Sequence, residues 1–145
     1  FTGRELEKNT FKGLRRVIDI SGDGANNSGP PVTPIRDELV AKGIVINGLP
    51  VLLRPSSMGL FEITNLDEYY KECVIGGPGS FMIPIRQRKE FADAIRQKLI
   101  LEISGITTAP RIIPVQATPP QASPGVDCLV GEKIWRRYYD GVIRN

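Results

Sequence analysis

Apolar residues in this chain fall into short β-branched runs separated by stretches with a helical period. Val17, Ile18 and Ile20 form the first run, and Ile44-Val45-Ile46 opens a second that continues towards Pro50-Val51. Ser80 to Ile85 is a third, where Pro84 predicts an edge or terminal position. Runs of this length, bounded by glycine and proline, read as strands. Between them the spacing turns helical. Residues 1–12 read as the end of a helix that Gly13 stops. Thr33 predicts the cap of a second helix, with Pro34 at its first position, where a missing N–H costs nothing. Ile35, Leu39 and Val40 supply its apolar face, and Gly43 ends it. Asn65, with Glu68 three residues on, opens a short helix carrying Tyr69, Tyr70 and Cys73. The longest helix is expected over 86–104, with Phe91, Ala92, Ile95, Leu99 and Ile103 on one stripe and Arg88, Lys89, Asp93, Arg96 and Lys98 mostly off it.

Strands alternating with helices predict the α/β class, with parallel pairing and right-handed crossovers. Residues 105–125 hold five of the twelve prolines and little periodicity, which reads as a linker or extended tail. The organisation is then a partial domain over 1–104, a proline-rich linker over 105–125 and a tail segment over 126–145. In that tail Ile134, Trp135 and Tyr138 are spaced to pack one helical turn onto a body. Three strands make a thin sheet, so an N-terminal half of the domain is expected to lie outside this chain. Its opening at Phe1, without an initiator Met or a leader, predicts a processed product or a fragment.

Composition narrows the chemistry. The chain has 145 residues, enough for one domain with a core, and an apolar fraction of 41%. A net charge of +3 is a mild excess spread along the sequence, so neither nucleic acid nor an anionic membrane is an expected partner. No apolar run approaches the ~20 residues of a membrane span. The chain contains no histidine, which removes His-based triads, general bases and metal ligands from consideration. Cys73 and Cys128 are the only cysteines and lie too far apart for a CxxC pair. They are a disulfide candidate in an oxidising compartment, with two unrelated buried thiols as the alternative.

Ser21-Gly22-Asp23-Gly24 places one carboxylate where the first strand gives way to a turn-rich loop, 21–31. Open α/β sheets bind ligands and metals at such strand ends. Asp23 and Ser21 are therefore the candidate metal-binding residues, with Asn26 and Asn27 at the rim of the site. The competing reading makes Asp23 a turn carboxylate accepting backbone N–H bonds. Asp19, inside the apolar run, reads as a buried, hydrogen-bonded structural carboxylate rather than a catalytic one. Gly76-Gly77-Pro78-Gly79-Ser80 lacks the lysine and the following helix of a phosphate loop. Lys133, Arg136 and Arg137 among Trp135, Tyr138 and Tyr139 resemble a base-stacking set, but a tail helix docking its aromatics on the core is the preferred reading.

RRVIDISGDGANN, followed by RDELVAKGIVINGLPV, SFMIPI and FADAIRQKLILEI, resembles the second half of a von Willebrand factor type A domain over roughly residues 10–104. With CVIGGPGSF it is similar to an uncharacterised bacterial group of such proteins. The resemblance implies a doubly wound, mostly parallel, Rossmann-like sheet with its N-terminal half missing. It also implies a metal-ion-dependent adhesion site in which Asp23 takes the third-motif position. The DxSxS and Thr elements of that site are then not in this chain. Asp19-Ile20-Ser21-Gly22-Asp23 itself looks like a degenerate DxSxS, but too few strands follow it for a first-motif reading.

The function expected is a non-catalytic protein-binding module that depends on Mg²⁺ or Ca²⁺ in the intact protein. This chain alone is expected to bind such an ion weakly at most, because about six oxygen ligands are needed and Asp23 and Ser21 supply few. Its protein partner is not named by the sequence, and no membrane insertion is expected. A metal-assisted hydrolase using Asp19 and Asp23, and a structural domain with a vestigial site, are the alternatives. The cysteine pair and the resemblance together point to a periplasmic or secreted location.

Overall fold

A computed structural model of the chain describes residues 2–11, 13–53, 63–104 and 125–143. The described elements run α1 (Thr2–Lys8), β1 (Arg16–Gly22), α2 (Val32–Ala41), β2 (Ile44–Pro50), α3 (Leu66–Tyr69), α4 (Phe91–Ser104) and α5 (Val130–Ile143). β1 and β2 pair in parallel, from Arg16 opposite Ile44 to Gly22 opposite Pro50. Parallel pairing requires a crossover, and α2 supplies it.

All seven residues of β2 are buried. Its two faces meet different partners, as the alternation of a strand demands. Ile44 and Ile46 join Ile18 and receive Leu39 and Val40 of α2 and Leu6 of α1. Leu49 points the other way and packs with Ile85 and Ala94 of α4. A third cluster gathers Leu66, Tyr69, Tyr70, Cys73 and Val74 beside Ile20. The chain is thus mixed α/β, with helices against both faces of its central strand. The doubly wound sheet expected from the sequence is larger than the two strands that pair here.

Ser80 to Ile85 does not form a regular third strand. It meets the free side of β2 through two separate parallel bridges, Gly48 with Met82 and Val51 with Ile85. Gly48 N–H donates to Phe81 O and Gly48 O accepts from Ile83 N–H, while Pro50 O accepts from Ile85 N–H. The bond that would link these two groups must be donated by residue 50. Proline has no N–H, so the ladder is broken there.

Helix boundaries differ from the sequence reading in informative ways. α1 ends at Lys8, well before Gly13. α2 begins at Val32 with Pro31 as its cap residue, φ −53° and ψ 142°, so Thr33 lies inside the helix and caps nothing. Its end agrees: Gly43 adopts φ +73°, a conformation glycine enters without steric cost. Ile35 is exposed, leaving Leu39 and Val40 as the packed residues of that face. Asn65 precedes α3 but bonds the Glu68 carboxylate through Nδ2 instead of capping a backbone N–H. α3 continues as a wide π turn over Tyr70–Val74.

α4 shows the largest departure. A 3₁₀ turn, Arg88–Glu90, leads into it, with Gln87 and Glu90 forming a capping box. Its buried residues are Ala94 and Lys98, whereas Phe91, Leu99 and Ile103 are exposed. The lysine points inward because Asp19 and Glu102 hold it there. The proline-rich linker expected over 105–125 lies, up to residue 124, outside the described residues.

The strand-end loop and its surroundings

β1 carries Val17, Asp19 and Ser21 on one face and Ile18, Ile20 and Gly22 on the other, by simple alternation. The strand closes with Val51 N–H donating to Gly22 O at 2.9 Å. Ser21 and Asp23 both emerge there exposed to solvent. Behind them stands Tyr70. A side chain at Gly22 would begin 2.9 Å from the Tyr70 hydroxyl, so glycine leaves room for that oxygen. Burial pushes the Tyr70 phenol up to about 12, and the neighbouring Tyr69 and the negative charge of Asp23 push in the same direction.

The loop that follows is organised by Asn26. Its backbone N–H donates to the Tyr69 hydroxyl at 3.1 Å. Its Nδ2 donates to Pro30 O at 3.1 Å and to Glu132 Oε1 of α5 at 2.6 Å. Asn26, expected at a rim, is a tie between the loop, α3 and α5. Asn27 lines a shallow groove of about 580 Å³ with Ser28, Gly29, Glu132, Trp135 and Arg136. Cys73 and Cys128 form a disulfide, with Cα atoms 5.5 Å apart. That bond anchors the segment leading into α5 on the Tyr69–Val74 cluster, against which Val126, Cys128 and Val130 pack.

The tail does form a helix, but its aromatics are exposed and not buried in the core. Trp135, Tyr138 and Tyr139 are exposed and interact with one another: Trp135 stacks on Tyr138 at 5.9 Å and meets Tyr139 edge-on at 5.2 Å. Docking falls instead to the residues at and before the first turn of α5. The sequence held no signal for Glu132, whose partner lies 106 residues away.

Asp19 belongs to a separate network on the α4 side. Lys98 Nζ lies 2.7 Å from Asp19 Oδ2 and 3.0 Å from Glu102 Oε1. Glu102 Oε1 also accepts from Asn47 Nδ2 at 3.2 Å, and Asn47 Oδ1 accepts from Phe81 N–H at 3.2 Å. Asn47 is fully buried and faces Asp19 across the sheet. Burial alone would lower the Lys98 pKa, but hydrogen bonds to Asp19 and Glu102 outweigh it and raise the value. Asp19 is therefore hydrogen-bonded as expected, yet half-exposed instead of buried.

Among the described residues no group of three or more Cys, Asp or Glu side chains is placed to hold a metal ion. Ser21 and Asp23 offer two exposed oxygen donors at one strand end, a part of the roughly six that Mg²⁺ or Ca²⁺ takes. As a class this is a mixed α/β unit with one solvent-facing carboxylate, Asp23, in the loop at the carboxyl end of a parallel strand. Residues 1–107 match the family described as a protein of unknown function, DUF1194, and the chain belongs to that family. Neither the curated proteins nor the solved structures contain a match to it.

Proposed function

We propose that this chain is part of a von Willebrand factor A-like, non-catalytic protein-binding module, cation-dependent in the intact protein. One observation carries the reading: Asp23 and Ser21 project together into solvent from the carboxyl end of a parallel strand. Ligand sites of open α/β sheets lie at that end. The lateral order supports it, since β1, β2 and the 81–85 segment lie side by side in chain order, all parallel. A doubly wound sheet would extend this arrangement beyond β1. The remaining oxygen ligands would come from residues outside this chain, and a partner's carboxylate would complete the coordination shell.

The Lys98 ion pair that engages Asp19 on the α4 side favours this reading over a metal-assisted hydrolase using Asp19 and Asp23. No helix among the described residues is long and apolar enough to cross a membrane. The disulfide belongs to an oxidising compartment, so the periplasm or exterior is the proposed location.

The test is paramagnetic. Mn²⁺, a divalent probe with oxygen preference, is titrated into the isotope-labelled chain to millimolar concentration. Weak binding should broaden amide resonances around 21–25 first, and Asp23→Ala should abolish the effect while the rest of the spectrum stays in place. Equal broadening in the Asp23→Ala variant, or none near residue 23, would exclude a cation at this loop.

A further inference from the structure

α5 lies beyond the last residue of the family match, yet its first turn is sealed onto the strand-end loop. Gly131 is buried there. A Cβ at this position would lie 2.0 Å from Asn26 O, 2.8 Å from its carbonyl carbon and 3.1 Å from the Ala25 Cβ. Backbone atoms cannot yield as a flexible side-chain tip does, so only glycine permits the approach. Glu132 adds the hydrogen bond to Asn26, and its second oxygen, Oε2, is buried without a partner. From Trp135 onward the helix is exposed.

The buried part of the hold on α5 lies at its start, at Val126, Cys128, Val130, Gly131 and Glu132, with Trp135 and Arg136 lining the open groove beside Asn27. The Cys73–Cys128 bond delivers this small footprint to its place, bridging 55 positions of sequence. Without it, α5 stays attached only through the chain from α4, and its local concentration at the loop falls accordingly.

We propose that α5 is a thiol-controlled latch. With the disulfide formed, α5 clamps the 25–29 loop through Gly131 and Glu132; when the bond is reduced, α5 leaves and the loop and the Tyr69–Cys73 face are uncovered. The reductant is a dithiol. One of its thiolates attacks Cys128 Sγ, since residue Cys128 is half-buried and Cys73 fully buried. Cys73 leaves as a thiolate and takes up a proton. The second reductant thiol then closes the reductant's own disulfide and releases Cys128 as a thiol. Two electrons and two protons pass to the protein. The latch operates on the loop whether or not Asp23 holds a cation.

Hydrogen–deuterium exchange of the whole chain tests this, in the oxidised state and after dithiothreitol, with free thiols counted. Reduction should yield two thiols and speed exchange at 25–29 and 130–136 by at least about tenfold, as expected for loss of a tether. Exchange at β2, 44–50, should be unchanged. Gly131→Ala in the oxidised protein separates a docked helix from a free one. Alanine is the better helix former, so a free α5 would exchange more slowly. A docked one is forced off Asn26 and should exchange faster, together with 25–29. Four results would overturn the latch: no thiols after millimolar dithiothreitol, unchanged exchange at 25–29, acceleration that spreads to 44–50, or slower exchange of α5 in Gly131→Ala.

Discussion

Replacing Lys98 with methionine tests whether the inward lysine organises the α4 side of the sheet. The side chain keeps its length and apolar stem while the cation between Asp19 and Glu102 disappears. Asp19 is 40% exposed at its side chain and can recover hydration, so its loss is small, in the range of exposed pairs at under about 1 kcal/mol. Glu102 is only 18% exposed at its side chain and keeps the Asn47 Nδ2 donor. Stranding a fully buried charge costs about 3–5 kcal/mol, and partial exposure brings this down. We therefore expect a total loss of roughly 2–3 kcal/mol at pH 7, which for a chain of this size lowers Tm by roughly 6–10 °C. Urea denaturation followed by far-UV circular dichroism reads it directly. The pH dependence has a definite sign. The Lys98 pKa is raised on folding, so its contribution is complete below the ordinary lysine value of 10.5 and fades as pH rises through the folded value. The gap between wild type and variant should narrow above that point. Adding Glu102→Gln to Lys98→Met removes the stranded charge and should return at least half of the loss. A cost below about 0.5 kcal/mol for Lys98→Met, or no recovery in the double variant, would refute the account.

Three further outcomes follow from the packing and the titrating groups. Ile44→Ala, at a position with no solvent exposure, should cost about 3 kcal/mol, read from the urea midpoint at an unchanged slope. Tyr70 keeps its proton in the folded state to about 12, while an unfolded tyrosine loses it near 10, so stability should fall across that window. Ultraviolet titration of Tyr70→Phe should lack this late component, and Asp23→Asn should move the wild-type component to lower pH. Asp67 is held below the usual carboxylate range first by the Arg86 hydrogen bond, at 2.6 Å, so its contribution is present above 3.8 and lost as pH falls through the folded value. Carbon-detected NMR should find the Asp67 pKa higher in Arg86→Ala, with a stability change under about 1 kcal/mol because Arg86 is well exposed.

The parts of the fold legible in the sequence were those fixed by local chemistry. β-branched runs placed β1 and β2, and the glycine after Lys42 placed the end of α2. Asp23 at a strand end was legible because SGDG can do little else after such a run. What escaped depended on partners far away in the chain. Lys98 reads as a surface residue until Asp19, 79 positions earlier, is known to sit beneath it. The interrupted third ladder follows from Pro50, which looked harmless at the close of its own strand but is the missing donor for the next one. In α5 the aromatic positions dominate any reading of the pattern, whereas the contact is made by a glycine and a glutamate whose meaning lies in Asn26.

The outer margin of β1 bears on how this polypeptide behaves in a tube. Among the described residues nothing pairs with that margin, so a row of backbone amides and carbonyls faces outward beside Val17 and Ile20. Such margins recruit other chains into mixed ladders and insoluble deposits. Arg16 and Asp19, both charged and solvent-accessible, are the gatekeepers that make stacking of one copy on another unfavourable. Neutralising Asp19 would thus do more than disturb Lys98: it would strip one of two charges from that margin and favour concentration-dependent precipitation.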